Sequence, residues 1–207
     1  MKKLSLLLIL PLWMSLCSRA CAQGQNATYK QEQYYGPATF NTPAIALKTN
    51  LLYDITTSFH LGMEVKTTMK QTLEIAAGYN PWTFSRNRKW KHLLIQPEYR
   101  FWLCEAFHGH YLGVHAHYAY YNIGRLPMKG TMKTSRYEGW LLGTGFTYGY
   151  QWMLSPRWSV EANIGVGYAF LEYEKYPCQR CSEKIKDGNR HYLGITKAAV
   201  SLVYIIK

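Results

Sequence analysis

Eight charged residues fall on one phase of a two-residue alternation: Lys48, Glu64, Lys66, Glu74, Glu98, Arg100, Glu161 and Lys197. Four are positive and four negative, so a shared interior would hold a balanced set. Charges buried alone are costly, whereas matched and hydrogen-bonded charges are tolerated. The chemistry expected of them is a polar plug that fills and registers an enclosed space. A second use of the same groups is a gated narrow pore or proton path through Glu98, Arg100, His115 and His117.

Other candidates carry less. Cys178 and Cys181 have the spacing of a local disulfide. A redox role for Cys-x-x-Cys needs a βαβ setting and a zinc site needs a second pair; the sequence offers neither. Cys104 is then the odd thiol left after leader removal. His108, His110, His115 and His117 have no carboxylate or cysteine at a recognised ligand spacing, so no metal site is expected. Ser58, His60, Ser85 and His92 could gather at one rim as a lipid-modifying hydrolase or acyltransferase site. No spacing singles out a nucleophile, base and orienting acid among them. No catalytic residue and no cofactor is expected.

The elements that must position the charged face are strands. From residue 44 onward the period is two, and it recurs in eight runs: 44–53, 58–67, 71–79, 92–104, 110–122, 140–152, 158–170 and 192–206. In the sixth, Trp140, Leu142, Phe146, Tyr148 and Trp152 alternate with Gly143, Gly145, Thr147, Gly149 and Gln151. In the seventh, Trp158, Val160, Ile164, Val166 and Phe170 alternate with Ser159, Glu161, Asn163, Gly165 and Gly167. One face is large and apolar, the other small and polar. A sandwich would allow bulkier polar groups outside, whereas a narrow lumen demands small ones. Most runs exceed the roughly 9–11 residues that a tilted strand needs to cross a bilayer. Connections alternate between short (Thr67–Lys70, Glu105–Gly109, Ser155–Arg157) and long (Asn80–Lys91, Ile123–Tyr137, Glu172–His191), apart from a short first loop at Asp54–Thr57. Short inner turns and long outer loops mark outer-membrane barrels. The fold class expected is all-β: an eight-stranded antiparallel up-and-down transmembrane β-barrel over 44–207.

The rest of the chain fits export. Lys2 and Lys3, the apolar stretch Leu4–Leu16 and Ala20-Cys21-Ala22 read as a signal peptide over 1–22, followed by a polar periplasmic leader over 23–43. No apolar run reaches the length of a spanning helix. The 207 residues carry a net charge of +12. With the lumen set balanced, the excess falls in outer loops: Arg86, Arg88, Lys89 and Lys91, then Arg125, Lys129, Lys133 and Arg136. Exposed basic groups attract anions. The expected location is the outer membrane, where membrane lipid and lipopolysaccharide phosphates are the expected contacts. Export removes nucleic acid as a partner.

Several segments also resemble an uncharacterised family of Bacteroidetes outer-membrane barrels, a domain of unknown function. They are Ala46-Leu47-Lys48-Thr49-Asn50-Leu51-Leu52-Tyr53-Asp54, Gly78-Tyr79-Asn80-Pro81-Trp82-Thr83-Phe84, Gln96-Pro97-Glu98-Tyr99-Arg100-Phe101-Trp102, Tyr137-Glu138-Gly139-Trp140 and Tyr176-Pro177-Cys178. The resemblance covers residues 44 to 207. It implies a barrel encoded beside fimbrial or adhesin genes, with fimbrial or other envelope proteins as partners and no catalytic residues. The function expected is structural: an outer-membrane anchor or interaction module supporting fimbria or adhesin assembly. The alternatives are a narrow pore and a lipid-modifying enzyme. The chain ends Tyr204-Ile205-Ile206-Lys207, without the terminal aromatic common in such barrels.

Overall fold

Alternation places every second side chain on one face of a strand, and eight such strands close a ring in which one face becomes the interior. The computed structural model describes residues 45–84, 88–124, 135–177 and 185–206. The segments expected to be a signal peptide and a leader, together with Arg86, Arg125, Lys129, Lys133, Cys178 and Cys181, lie outside them. The strands are β1 (Ile45–Asn50), β2 (Phe59–Thr68), β3 (Gln71–Asn80), a two-residue β4 (Thr83–Phe84), β5 (Arg88–Trp102), β6 (Gly109–Gly124), β7 (Ser135–Met153), β8 (Trp158–Pro177) and β9 (Lys186–Ile206). Every pairing is antiparallel. Eight strands close through β3–β5 and β1–β9, and β4 hangs on β5.

The ring is strongly staggered. From Glu74, cross-strand partners run through Glu98, His115, Gly145 and Gly167 to Gly194 on β9. In the other direction they run through Glu64 and Ala46 to Ile205 on β9. The two routes meet β9 eleven residues apart. Such a shear tilts the strands and narrows the interior. Pairing of β5 with β6 passes over Gln96 and Pro97, whose proline has no N–H to contribute.

The outer surface is apolar and the interior charged. Phe146 is 71% exposed and Val166 57%, whereas Glu161 and Arg100 are fully buried. This is the face assignment that the alternation predicts. The small lumen residues of β7 are sockets for large ones. A Cβ on Gly149 would collide with the Tyr111 ring, one on Gly143 with His117, and one on Gly145 with His115.

The structure corrects several boundaries. The first run was expected to be strand over 44–53, but β1 stops at Asn50 and a short helix, α1 (Leu51–Ile55), follows. Leu51 and Tyr53 are therefore not on a strand face. The cause is local: the Asn50 side chain accepts a hydrogen bond from the Leu52 N–H at 3.1 Å and caps the helix. In the other direction, β5, β7, β8 and β9 run several residues past the alternating runs. Arg88, Lys89, Lys91 and Arg136, expected in loops, lie on these strand ends, because ladder pairing continues after the apolar pattern stops. Cys104, expected to be the odd thiol, is disulfide-bonded, and its partner lies outside the described residues. The count that left it over paired Cys178 with Cys181 on their spacing and took the cysteines before residue 23 as removed.

Gly149→Val forces a branched side chain into the Tyr111 ring. Overpacking of this kind costs about 1–3 kcal/mol. Urea unfolding is expected to show a drop of that size, while Phe146→Leu on the outer face leaves the midpoint within about 0.5 kcal/mol.

Candidate functional site

The interior is organised on Arg100, which β5 projects into the ring. Its guanidinium reaches all four buried carboxylates: Glu74 at 2.5 Å, Glu161 at 2.9 Å, Glu64 at 3.1 Å and Glu98 at 3.2 Å. Each carboxylate comes from a different strand or turn of register (β2, β3, β5 and β8), so one side chain ties together walls distant in sequence. Lys48 joins Glu64, Glu161 and Glu74, the last at 3.1 Å. Lys197 joins Glu98 and, at 3.5 Å, Glu74. The planar fork of an arginine suits such multiple pairing better than an ammonium would.

Seven of the eight expected lumen residues meet in this cluster. Lys66 does not: it is half-buried near the end of β2, beside the bulge between Lys66 and Thr68. The enclosed set is thus three cations against four carboxylates, not the balanced four and four that residue parity implied. The oxygens of Glu64, Glu74 and Glu161 lie within 4.8 Å of one another, a spacing that suits a metal ion. Lys48 and Arg100 already stand among them and supply the positive charge.

Below the cluster, toward the short turns, the interior is closed by aromatic packing. Trp102 and Tyr111 rings lie 4.7 Å apart, and Phe107 stands 6.2 Å from Trp102. Trp102 donates to Thr72 Oγ1 at 2.9 Å, and Tyr111 donates to Glu161 at 2.6 Å. Arg100 lies over the Tyr111 ring at 4.5 Å. Residue parity pointed here: Trp102 shares the phase of Glu98 and Arg100, and Tyr111 that of His115 and His117. The sequence reading named neither. Above and beside the charges, His115 bridges Thr147 at 2.8 Å and Thr196 at 2.9 Å, and His117 lies 5.6 Å from it. His115 is thus held as a contact between walls, whereas the buried Nδ1 of His117 has no hydrogen-bond partner among the described residues.

Of the four residues considered for hydrolase chemistry, Ser58, His60 and His92 lie at one rim, but no hydrogen bond joins the Ser58 hydroxyl to either imidazole. Ser58 is buried, and its hydroxyl takes a hydrogen bond from Asn80 at 2.8 Å and lies 3.2 Å from that of Thr56. His60 lies tilted against the Tyr53 ring at 5.1 Å and His92 meets it edge-on at 5.9 Å. Ser85 lies outside the described residues. A cavity of about 240 Å³ lies under α1, between Lys48, His60, Glu74, Gln96, Asn163 and Lys197.

At the far end, β6 to β9 continue past the level at which β2 and β3 stop. Their tips carry Arg136 over the Tyr176 ring at 4.6 Å, Tyr137 and Tyr173 with rings 5.9 Å apart, and an Arg136–Glu138 pair at 3.3 Å. Partial burial pulls the Lys89 amine below its ordinary value, and the neighbouring Arg136 lowers it further. Basic groups are crowded here.

A closed eight-stranded ring with an apolar exterior and a charged, sealed interior is the class of protein that these features define. The family described as "Protein of unknown function (DUF3575)" matches residues 13–206, and the chain belongs to it. That match begins upstream of the barrel residues on which the sequence resemblance rested. No curated protein and no solved structure matches the chain.

Removing Arg100 leaves four buried carboxylates facing two lysines. Arg100→Met is expected to destabilise the fold by about 3–5 kcal/mol in urea unfolding, the usual cost of orphaning a buried charge. Adding Glu161→Gln to Arg100→Met should recover part of that loss, because it removes one uncompensated charge. Additive losses in the double variant would contradict the hub role of Arg100.

Proposed function

We propose that this protein is an outer-membrane β-barrel that acts as an anchor and interaction module. The eight-stranded ring sits in lipid, and the ends of β6 to β9 form its contact surface outside. The observation that carries this reading is the inversion of the faces. Leu61, Phe59, Phe146, Val166 and Ile195 point outward with more than half of their surface exposed, while the charges are enclosed. Such an exterior in water would be an apolar surface far larger than a monomer normally exposes; in a bilayer it is the required one. Trp152, Trp158 and Tyr204 near one end and Tyr79, Trp82 and Tyr168 near the other suit the two interfaces.

The interaction role rests on the projecting strand ends. They are rich in tyrosine and basic groups, and tyrosine and arginine are the residues that most often anchor interfaces. Lipopolysaccharide phosphates and fimbrial or other envelope proteins are the proposed partners, the fimbrial link coming from the family resemblance alone. A conducting pore is disfavoured by the Trp102–Tyr111–Phe107 closure, and a hydrolase by the engagement of the Ser58 hydroxyl with Asn80 and Thr56 in place of an imidazole.

Cell fractionation is expected to place the chain in the outer membrane and to leave it there after carbonate extraction. Photo-crosslinkers at Tyr137 and Tyr173 are expected to join it to lipopolysaccharide or to one envelope protein. Release by carbonate would overturn the anchor; silence at both positions would overturn the contact surface.

A further inference from the structure

The wall of the ring is incomplete on one side. β9 runs from Lys186 to Ile206, yet β1 pairs only with its last six residues, Ser201 to Ile206. β1 ends at Asn50, and pairs with β2 only from Gly62 to Val65. Above Ser201, among the described residues, the β1-facing edge of β9 therefore has no strand beside it. The short helix α1 stands in this space, against β9 and the start of β2. In hydrocarbon an open strand edge does not persist unless protein, water or a polar group satisfies it.

The 240 Å³ cavity reaches this gap. Its lining includes Lys197, Ala199 and Ser201 from the inward face of β9, and also Ile195 and Ala198, which are exposed on the outward face. The cavity therefore adjoins the stretch of β9 that β1 does not pair with. The bulge opposite Gly165 and Val166, which sets Thr196 out of register, lies at the same place. We propose that this gap is a lateral binding site for a single amphiphile: a hydroxyl-rich, uncharged head enters the cavity, and one acyl chain lies along the outer wall.

The chemistry inside fits such a head. Lys48, Lys197 and Glu74 offer charges of both signs already tied to partners, so a charged head would disturb the ion pairs. Gln96 and Asn50 add amide groups. Asn163, nine-tenths buried, has an Oδ1 atom with no hydrogen-bond partner, and so has the buried Nδ1 of His60. Hydroxyls both donate and accept, which suits this mixture better than an anion or a cation does. Outside the gap the surface is apolar: Leu193 is 84% exposed, Ile55 79% and Leu61 63%. The two ends of an amphiphile are thus matched by the two sides of one opening. Tyr53, pointing from α1 toward His60, His92 and Gly78, closes the cavity from above.

This inference rests on the membrane reading, and its test separates the two. The full mature chain is folded in phosphocholine micelles and titrated with monolauroylglycerol while backbone amides are followed by NMR. Saturable shifts confined to Asn50, His60, Asn163 and Thr196–Ser201 are expected, with Val114 and Tyr148 on the far wall unchanged. Ala199→Phe, which fills the cavity, should weaken binding roughly tenfold or more with the remaining spectrum intact. Asn163→Leu, a milder change, serves if Ala199→Phe does not fold. Shifts spread evenly around the ring, or binding indifferent to the variant that folds, overturn the lateral site while leaving the barrel standing. A chain that folds without micelles overturns the membrane reading itself.

Discussion

The architecture depends on enclosing charge. Arg100 holds four carboxylates from separate parts of the ring, and none of these groups could be left facing an apolar medium alone. The demand fixes register: a one-residue slip in β2, β3, β5 or β8 would turn its carboxylate outward and its apolar side chain inward. The network therefore selects one ring from the many pairings that eight alternating strands permit. It also sets the size of the interior. With Tyr111 and His115 beside the ion pairs, their cross-strand partners on β7 have room only for glycine.

This closed, ion-paired interior is paired with an apolar exterior, and together they divide labour along the axis. The turn end is sealed by Trp102, Phe107 and Tyr111. The middle is a rigid plug of charge. Only the opposite end varies: a low side where β1 gives way to α1, and a high side where β6 to β9 project. Both proposed contacts, with envelope polymers and with an amphiphile, fall on this uneven end. Rigid strands presenting a variable rim are how such scaffolds usually acquire binding roles.

Much of this was legible in the alternation. The faces of β7 and β8 could be assigned residue by residue, because glycine and polar residues hold one phase from 143 to 151 and from 159 to 167. Seven members of the charged cluster followed from the same parity. Lys66 did not belong, because parity names a face but not a height: near a strand end an inward side chain can reach water. The break after Asn50 was hidden for a related reason. Leu51, Leu52 and Tyr53 read equally well as strand or helix, and the decisive signal, an asparagine cap, is a single hydrogen bond. The long strand ends were missed because ladder pairing outlasts the apolar pattern: Tyr137 pairs with Lys175 and Glu138 with Glu174 without any alternation to announce it. The state of Cys104 was missed because sequence spacing favours the near pair Cys178 and Cys181 and carries no signal for a bond between cysteines far apart in the chain.

The most direct measurement is spin-label accessibility in a reconstituted bilayer, with labels on Phe146→Cys and Val166→Cys. Lipid-facing positions collide often with dissolved oxygen and rarely with a water-soluble nickel complex, and that result is predicted at both sites. Strong collision with the nickel complex, or protection from both reagents as in a packed core, would contradict the account.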